Sequence, residues 1–273
     1  MKHALGVFFY YMYQISQIFI YPIKSLGGIS LNESYIEERG LQFDRRWMLC
    51  NDQNVFITQR EINELALFKL SFNKNGFNIS YYNSSFNIPQ SINGNKQKVK
   101  IWDDECLAVE YDAGSIWFSN ILDFKVKLFY MPNDSERKVD LKYASNNEIT
   151  SFSDGYQILI IGQESLNDLN NKLEQKIDIN RFRPNIVFEG GKAFDEDNFM
   201  AFYINNILFK GVKKCGRCNI ITINQETGVI NNEPLSKLAK YRTLNNRVLF
   251  GLNISALNFN EKIKVNDFIE LKE

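Results

Sequence analysis

The chain has 273 residues, 32 of them basic and 32 acidic, with four cysteines and a single histidine. Zero net charge argues against a nucleic-acid surface as its main business, and cysteines without a repeating spacing point to a reducing, cytoplasmic setting. With 22 Phe and 13 Tyr against 5 Pro it reads as a globular, strand-rich chain, long enough for two lobes sharing an interface.

Residues 1–11 read as an extension ahead of a domain that starts at Met12. The apolar run from Ala4 to Ile20 is short for a membrane span, carries Gln14, Ser16 and Gln17, and shows no small-residue cleavage site, so membrane contact is not expected. From Tyr13 the pattern alternates as a strand through Ile15, Ile18 and Ile20 into Tyr21-Pro22. Strands are expected next over 44–50, 54–58, 66–72 and 77–82, between Asn, Asp and Gly turns, then a hairpin over 98–102 and 106–111. Ile116, Trp117, Ile121 and Leu122 fall on one helical face. A strand over 126–131 leads into the polar stretch 132–151, expected to be either a functional lid or disordered because it exceeds the usual connection length.

In the second half a buried strand is expected over 157–161, followed by a helix that a capping box opens at Ser165 and that carries the stripe Leu166, Leu169, Leu173 and Ile177. A strand over 185–189 closes at Gly190-Gly191, and two more flank a cysteine pair, the second over 219–223. Asn232 and Pro234 begin a short helix through Leu238 and Tyr241, and 248–253 and 263–271 finish the chain as strands. The expected fold is mainly β (α+β), with few short helices and two domains, 12–125 and 126–273.

The stretch the chain is organised around is Lys210-Gly-Val-Lys-Lys-Cys215-Gly-Arg-Cys218, where Lys210, Lys213, Lys214 and Arg217 crowd two thiols without one acid. Such surroundings favour the thiolate, the form that attacks, exchanges or binds metal. A structural zinc site needs four ligands, and Cys50, Cys106 and His3 stand alone. A thiol redox pair would open a helix, whereas β-branched residues follow here. A single cysteine on a soft metal that takes its other ligands from a cofactor is the third reading, and two half-buried cysteines in a turn the plainest. Elsewhere Lys24-Ser25 leaves a strand into Gly27-Gly28, and Arg45, Arg46, Arg60, Arg181 and Arg183 sit at strand ends, where forked donors suit an anionic, heteroatom-rich ligand.

Taken in order, Ile20-Tyr-Pro-Ile-Lys-Ser25, Arg39-Gly-Leu41 with Asp44-Arg45-x-Trp47, Phe182-Arg-Pro-Asn185, Cys215-x-Arg-Cys218 with Thr222, Thr227-Gly228 and Glu233-Pro-Leu235 resemble the MOSC-domain molybdenum proteins. The resemblance includes that family's N-terminal β-barrel domain and extends to the mitochondrial amidoxime-reducing component and its bacterial relatives. It implies a MOSC N-terminal β-barrel domain over 12–125, a MOSC domain over 126–273, and a molybdenum cofactor (molybdopterin) whose metal is held by Cys218, which is also the expected catalytic residue. It places Lys24, Ser25, Arg45, Arg183 and Asn185 on the cofactor's phosphate and pterin, with Gly216 and Arg217 lining metal or pterin. Arg60 and Asp154 match in looser surroundings, and Cys215 is expected to support the turn.

The implied activity is reduction of N-hydroxylated small molecules: amidoximes, hydroxylamines and N-hydroxylated bases. No appended iron–sulfur domain is read before Glu273, so electrons are expected from separate proteins, a ferredoxin or a b-type cytochrome with a flavin reductase. Because MOSC domains also end molybdenum cofactor sulfurases, a carrier or sulfur-handling module remains an alternative, as does a cofactor-free thiol oxidoreductase. One departure is Phe250-Gly251-Leu252, where the family usually has Phe-Gly-Gln, with the loss of a polar group expected near the pocket.

Overall fold

A computed structural model of the chain describes residues 12–140, 142–143 and 148–272; the expected extension 1–11 lies outside them. The first half carries β1 (Tyr13–Ile20), β2 (Ile29–Leu31), β3 (Glu33–Glu37), β4 (Gly40–Leu41), β5 (Trp47–Cys50), β6 (Lys69–Asn73), β7 (Gly76–Tyr81), β8 (Ser84–Pro89), β9 (Lys96–Ile101), β10 (Asp104–Glu110), helix α1 (Asp112–Leu122) and β11 (Lys127–Tyr130). The second half adds β12 (Ile158–Gly162), α2 (Gln163–Asn170), β13 (Ile186–Glu189), β14 (Ala201–Ile204), β15 (Ile207–Gly216), α3 (Leu235–Ala239), β16 (Thr243–Leu244), β17 (Arg247–Ala256), β18 (Lys262–Lys264) and β19 (Phe268–Leu271).

The fold is mostly β, and its centre is a closed barrel of seven strands in the order β12-β13-β1-β19-β14-β15-β17, with β17 pairing back onto β12. Closure leaves no unpaired edge. Only β12 and β13 run parallel, with α2 in their connection. β1 enters the barrel from the far end of the sequence, antiparallel to β13 and β19. Its buried residues Ile15, Ile18 and Ile20 are spaced three and then two apart because a bulge between Ile15 and Gln17 shifts the register.

The first half builds a four-stranded sheet, β5-β11-β10-β9, and a meander, β6-β7-β8. Helix α1 packs on β11, where Gly114 lets Leu128 approach and the Ser115 hydroxyl accepts from the Leu128 amide at 2.9 Å. Its buried residues are Gly114, Ser115 and Phe118, while Trp117, Ile121 and Leu122 pack at the core's margin and Ile116 is 62% exposed, so the expected face is turned by about one residue.

Other departures have local causes. Phe43 and Arg45 take positive φ, so 44–46 turn and the strand begins at Trp47. Asn63–Leu67 is a 3-10 turn that delays the next strand to Lys69, and 54–58 makes only isolated bridges. Ser165 lies inside α2, and its hydroxyl serves the Glu196 carboxylate instead of capping. The helix stops at Asn170, yet Leu173 and Ile177 still pack against its core. α3 ends at Ala239, short of Tyr241, and a turn at Asn266 (φ 75°) splits the last expected strand into β18 and β19. Within 132–151 six of the described residues, Ser135, Arg137, Val139, Ile149, Thr150 and Ser151, are buried, and Lys138 bridges Ile149, while Asn133, Asp134, Glu136, Lys138, Asp140 and Lys142 are exposed. The lid or disorder expected there bears also on residues 141 and 144–147, which lie outside the described residues. Among the described residues no helix is long and apolar enough to cross a membrane.

Candidate functional site

Residues of the barrel and of the first half of the chain line a cleft of about 720 Å³, among them all ten that the family resemblance assigned: Lys24, Ser25, Arg45, Arg60 and Asp154, with Arg183, Asn185, Gly216, Arg217 and Cys218. Arg46 and Arg181, also expected to face a ligand, do not line it: Arg46 donates to the Met131 carbonyl and Asn133 Oδ1, and Arg181 donates to the Ile221 carbonyl. Its floor begins where β1 ends. The Tyr21 amide donates to Asp44 Oδ1 at 2.8 Å and the Lys24 amide to the Trp47 carbonyl, which ties the turn after β1 to the start of β5. Ser25, Arg45 and Arg183 hold φ of 69°, 49° and 54°, a region that costs side-chain-bearing residues about 1–3 kcal/mol each and gathers at functional sites. Arg45 is fixed by Asp44 at 2.5 Å, Asn185 Oδ1 at 3.1 Å and the Arg183 carbonyl at 3.2 Å. The buried Asn185 amide in turn accepts from the Leu159 amide and donates to the Phe19 carbonyl, linking three neighbouring barrel strands.

The Arg45 and Arg183 guanidinium groups both lie over the Tyr21 ring, at 4.5 and 4.2 Å. Burial pushes the Tyr21 hydroxyl up to about 12 despite these cations, and that hydroxyl has no hydrogen-bond partner among the described residues. Burial also lowers Arg183 to about 10. Lys24 is buried, with its ammonium 2.6 Å from Asp154 Oδ1; desolvation brings it down to about 8, although Asp154 acts to raise it. Desolvation acts to raise Asp154, but Lys24, with help from Arg60 and Arg45, outweighs it and holds the carboxyl well below the usual range. The Asp154 side chain is 68% exposed, as befits the wall of an open cleft, so solvent screens the pair and its stabilising effect is small.

The thiols arrive on β15. Cys215 is its penultimate residue, and the chain then leaves the barrel at Gly216. Cys218 caps a 3-10 turn, Asn219–Thr222, where a strand was expected. Local and tertiary contacts override the β-branched run there: the Thr222 hydroxyl donates to the Asn219 carbonyl within the turn at 2.7 Å, Arg181 donates to the Ile221 carbonyl at 3.3 Å, and Ile221 is buried. Each thiol has its own guanidinium. Arg60, stacked over Trp102 at 4.4 Å, donates to Cys218 Sγ at 3.3 Å. Arg217 donates to Cys215 Sγ at 3.1 Å and to the Phe182 carbonyl at 2.7 Å, while its buried Nε has no partner among the described residues.

The lining also holds Lys213, Lys214 and Arg247, so eight cations face one carboxylate, that of Asp154. Lys213 and Lys214 were visible in the cation cluster. Trp102 and Arg247, at an exposed turn and an exposed strand end, and the half-buried Tyr156 were missed, since no spacing marks them. Among the described residues no group of three or more His, Cys, Asp or Glu gathers as a metal site, and Cys50 and Cys106 lie in a separate core cluster. Leu252 is also core, 4% exposed, so the departure at 250–252 does not reach the cleft lining.

The family model of the MOSC N-terminal beta barrel domain matches residues 12–125, and that of the MOSC domain matches residues 147–270. The chain is a MOSC-domain protein that carries both modules. It is 29% identical over 249 residues to mitochondrial amidoxime reducing component 2 of Bos taurus, an alignment covering 84% of this chain and 72% of that one. Mitochondrial amidoxime-reducing component 1 of Mus musculus is 28% identical over 246 residues, covering 84% and 71%. A molybdenum cofactor sulfurase of Oryza sativa subsp. japonica is 27% identical over 270 residues, which is 87% of this chain and 32% of that protein. The chain therefore spans about a third of the length of the sulfurase it matches.

Proposed function

We propose that the chain binds a molybdenum cofactor, with Cys218 as the protein ligand to the metal, and reduces N-hydroxylated compounds with electrons from separate partner proteins. The observation that carries this reading is one cleft in which Cys218, with Arg60 at 3.3 Å, stands among eight cations and one carboxylate in a chain built of the two MOSC modules. The lining fits such a group. A thiolate suits a soft metal with open positions, and the orphaned Arg217 Nε and Tyr21 hydroxyl are buried donors that an acceptor-rich ligand would satisfy. Lys24, Ser25, Arg45, Arg183 and Asn185 would hold its phosphate and pterin, and Arg217 would line it beside Cys218. At Gly216 an added Cβ meets nothing nearer than the Arg247 side chain at 3.6 Å, so the backbone is open to close approach. When bound, the cofactor supplies two electrons that, with two protons, convert N–OH to N–H and water.

The sulfurase relatives support a second reading, a cofactor carrier without turnover. Two measurements separate the possibilities. Protein made in a host that synthesises molybdopterin should carry molybdenum near one per chain by elemental mass spectrometry, and Cys218→Ser should carry none while remaining folded. Loaded protein supplied with a chemical reductant should then convert benzamidoxime to benzamidine. Metal without conversion favours the carrier. No metal in folded wild-type protein overturns both readings. Cys215→Ser should keep the metal and most activity, and its complete inactivation would return the pair to thiol redox chemistry.

A further inference from the structure

The outer part of the cleft is built differently from its floor, and cofactor binding as described leaves its charges unused. β15 carries bulges on either side of Lys213-Lys214, between Gly211 and Lys213 and between Lys214 and Gly216, which bend the strand locally, and both lysines line the cleft. Lys214 is committed to Asp197 at 3.2 Å. The Lys213 ammonium makes no ion pair or hydrogen bond among the described residues and lies over the Tyr143 ring at 4.4 Å, with the Tyr156 ring at 5.9 Å.

Arg247 follows the Asn245-Asn246 turn, with φ of 50° and 59°; it is exposed at the start of β17 and has no polar partner among the described residues. Tyr156 lies close enough to Arg247 and Cys215 to feel their charge, and burial keeps its hydroxyl protonated by raising it to about 12. Asp140 is also near Tyr156 but makes no ion pair with either cation. Trp102 adds a second aromatic surface, 36% exposed, beneath the Arg60 guanidinium that reaches Cys218.

We infer that this outer part is the substrate subsite and that it selects flat molecules bearing a negative charge, a carboxylate or a phosphate, at the end remote from the N–O bond. Tyr156 and Trp102, both in the cleft lining, supply aromatic surface beside the flat portion, and Lys213 and Arg247 take the anion. The N–O group rests on the reductase reading above, whereas the preference for charge rests on the unpartnered cations. Buried and self-paired cations would discriminate little; Lys213 and Arg247 are reachable and uncommitted, so each adds a charge-assisted contact where an anion arrives.

The test compares benzamidoxime with its 4-carboxylate and 4-phosphonate on the molybdenum-loaded full chain, first by binding (quenching of tryptophan fluorescence) and then by kcat/KM. Exposed charge contacts of this kind predict about three- to tenfold tighter binding of the anionic analogues. That advantage should shrink as salt rises past about 0.15 M, where the screening length is about 8 Å. The Lys213→Gln/Arg247→Gln double variant should bind all three alike, and Lys213→Arg/Arg247→Lys should keep the preference. A gain confined to one analogue identifies its anion as the one recognised. Equal or weaker binding of both anionic analogues by wild-type protein overturns the inference, as does an undiminished preference in the Gln double variant. If the binding preference holds but no analogue is reduced, the reductase reading fails and the anion subsite stands. If all three are reduced with equal affinity and equal kcat/KM, the reverse is true.

Discussion

The Lys24 ammonium sits 2.6 Å from the Asp154 carboxylate in a place too buried to solvate a lone charge well. Desolvation therefore dominates, and its folded-state value of about 8 lies below the 10.5 of a free lysine. Between those values the unfolded chain binds more protons than the folded one, so this group's contribution to stability rises with pH across that window and is unfavourable below it. Asp154 has the opposite sign: its carboxyl is held below its usual range, so its contribution is present at neutral pH and is lost as pH falls through the acid range. For an anion on the cleft floor the consequence is direct, since Lys24 attracts it only while protonated. Calorimetric titration with inorganic phosphate should show affinity falling as pH passes from about 7 to about 9. Lys24→Met should flatten that fall, and Asp154→Asn should move it to lower pH by removing the partner that supports the ammonium. An affinity that does not change over this range in wild-type protein would remove Lys24 from the anion site. Lys24, Ser25 and Arg45 were legible in the sequence because short motifs fix them next to a strand end. The sandwich of two guanidinium groups on Tyr21 was not, because Arg45 and Arg183 meet there from positions 138 apart.

At the scale of elements, periodicity located most strands and failed where a tertiary partner outweighed local preference. The residues after Cys218 have strand chemistry, yet Arg181 and the burial of Ile221 fold them into a turn, and that turn is what brings Cys218 beside Arg60. Ser165 looked like a cap because its spacing to Asp168 is right, but the helix begins earlier, at Gln163. What Ser165 does is hold Glu196, whose oxygens it reaches at 2.8 Å while the Gly162 amide donates at 3.3 Å, joining α2 and β12 to the 195–198 turn. Burial raises Glu196 from 4.5 to about 7, against the pull of these bonds. The folded state binds the extra proton here, so stability from this group is complete below about pH 4.5 and is lost as pH rises through 7. At 1.36 kcal/mol per pH unit the swing is roughly 3 kcal/mol. Glu196→Gln should therefore unfold in denaturant with a weaker pH dependence than wild type between about pH 4.5 and 7, and should be the more stable of the two at pH 8. Parallel pH profiles for the two proteins would show that Glu196 is ionised in the fold throughout.

For the whole molecule, the two modules read along the sequence are stitched together in space. β1, from the first half, fills the gap between β13 and β19 in the barrel; β18, from the end of the chain, pairs with β3; and β11, after residue 125, completes the sheet of β5, β10 and β9. Lys24, Ser25, Arg45 and Arg60 reach the cleft from one half, and Asp154, Arg183, Asn185 and Cys218 from the other. Composition and motifs could not reveal this, because strand pairing between residues as far apart as Gln14 and Glu189 leaves no local trace. The consequence is energetic as well as geometric. β1 brings Ile15, Ile18 and Ile20, all fully buried, and burying an isoleucine side chain is worth about 1.5–3 kcal/mol. Losing three removes roughly 5–9 kcal/mol, comparable to the whole stability of a typical domain at about 5–15 kcal/mol, and also opens the barrel between β13 and β19. Residues 126–273 made alone should therefore lack a cooperative thermal transition and associate through the freed strand edges, whereas co-expression with residues 1–125 should restore both the transition and binding of phosphate in the cleft. A 126–273 fragment that melts cooperatively near the temperature of the full chain would mean that the barrel closes without β1, and that the cleft is an interface between independent domains rather than a seam within one.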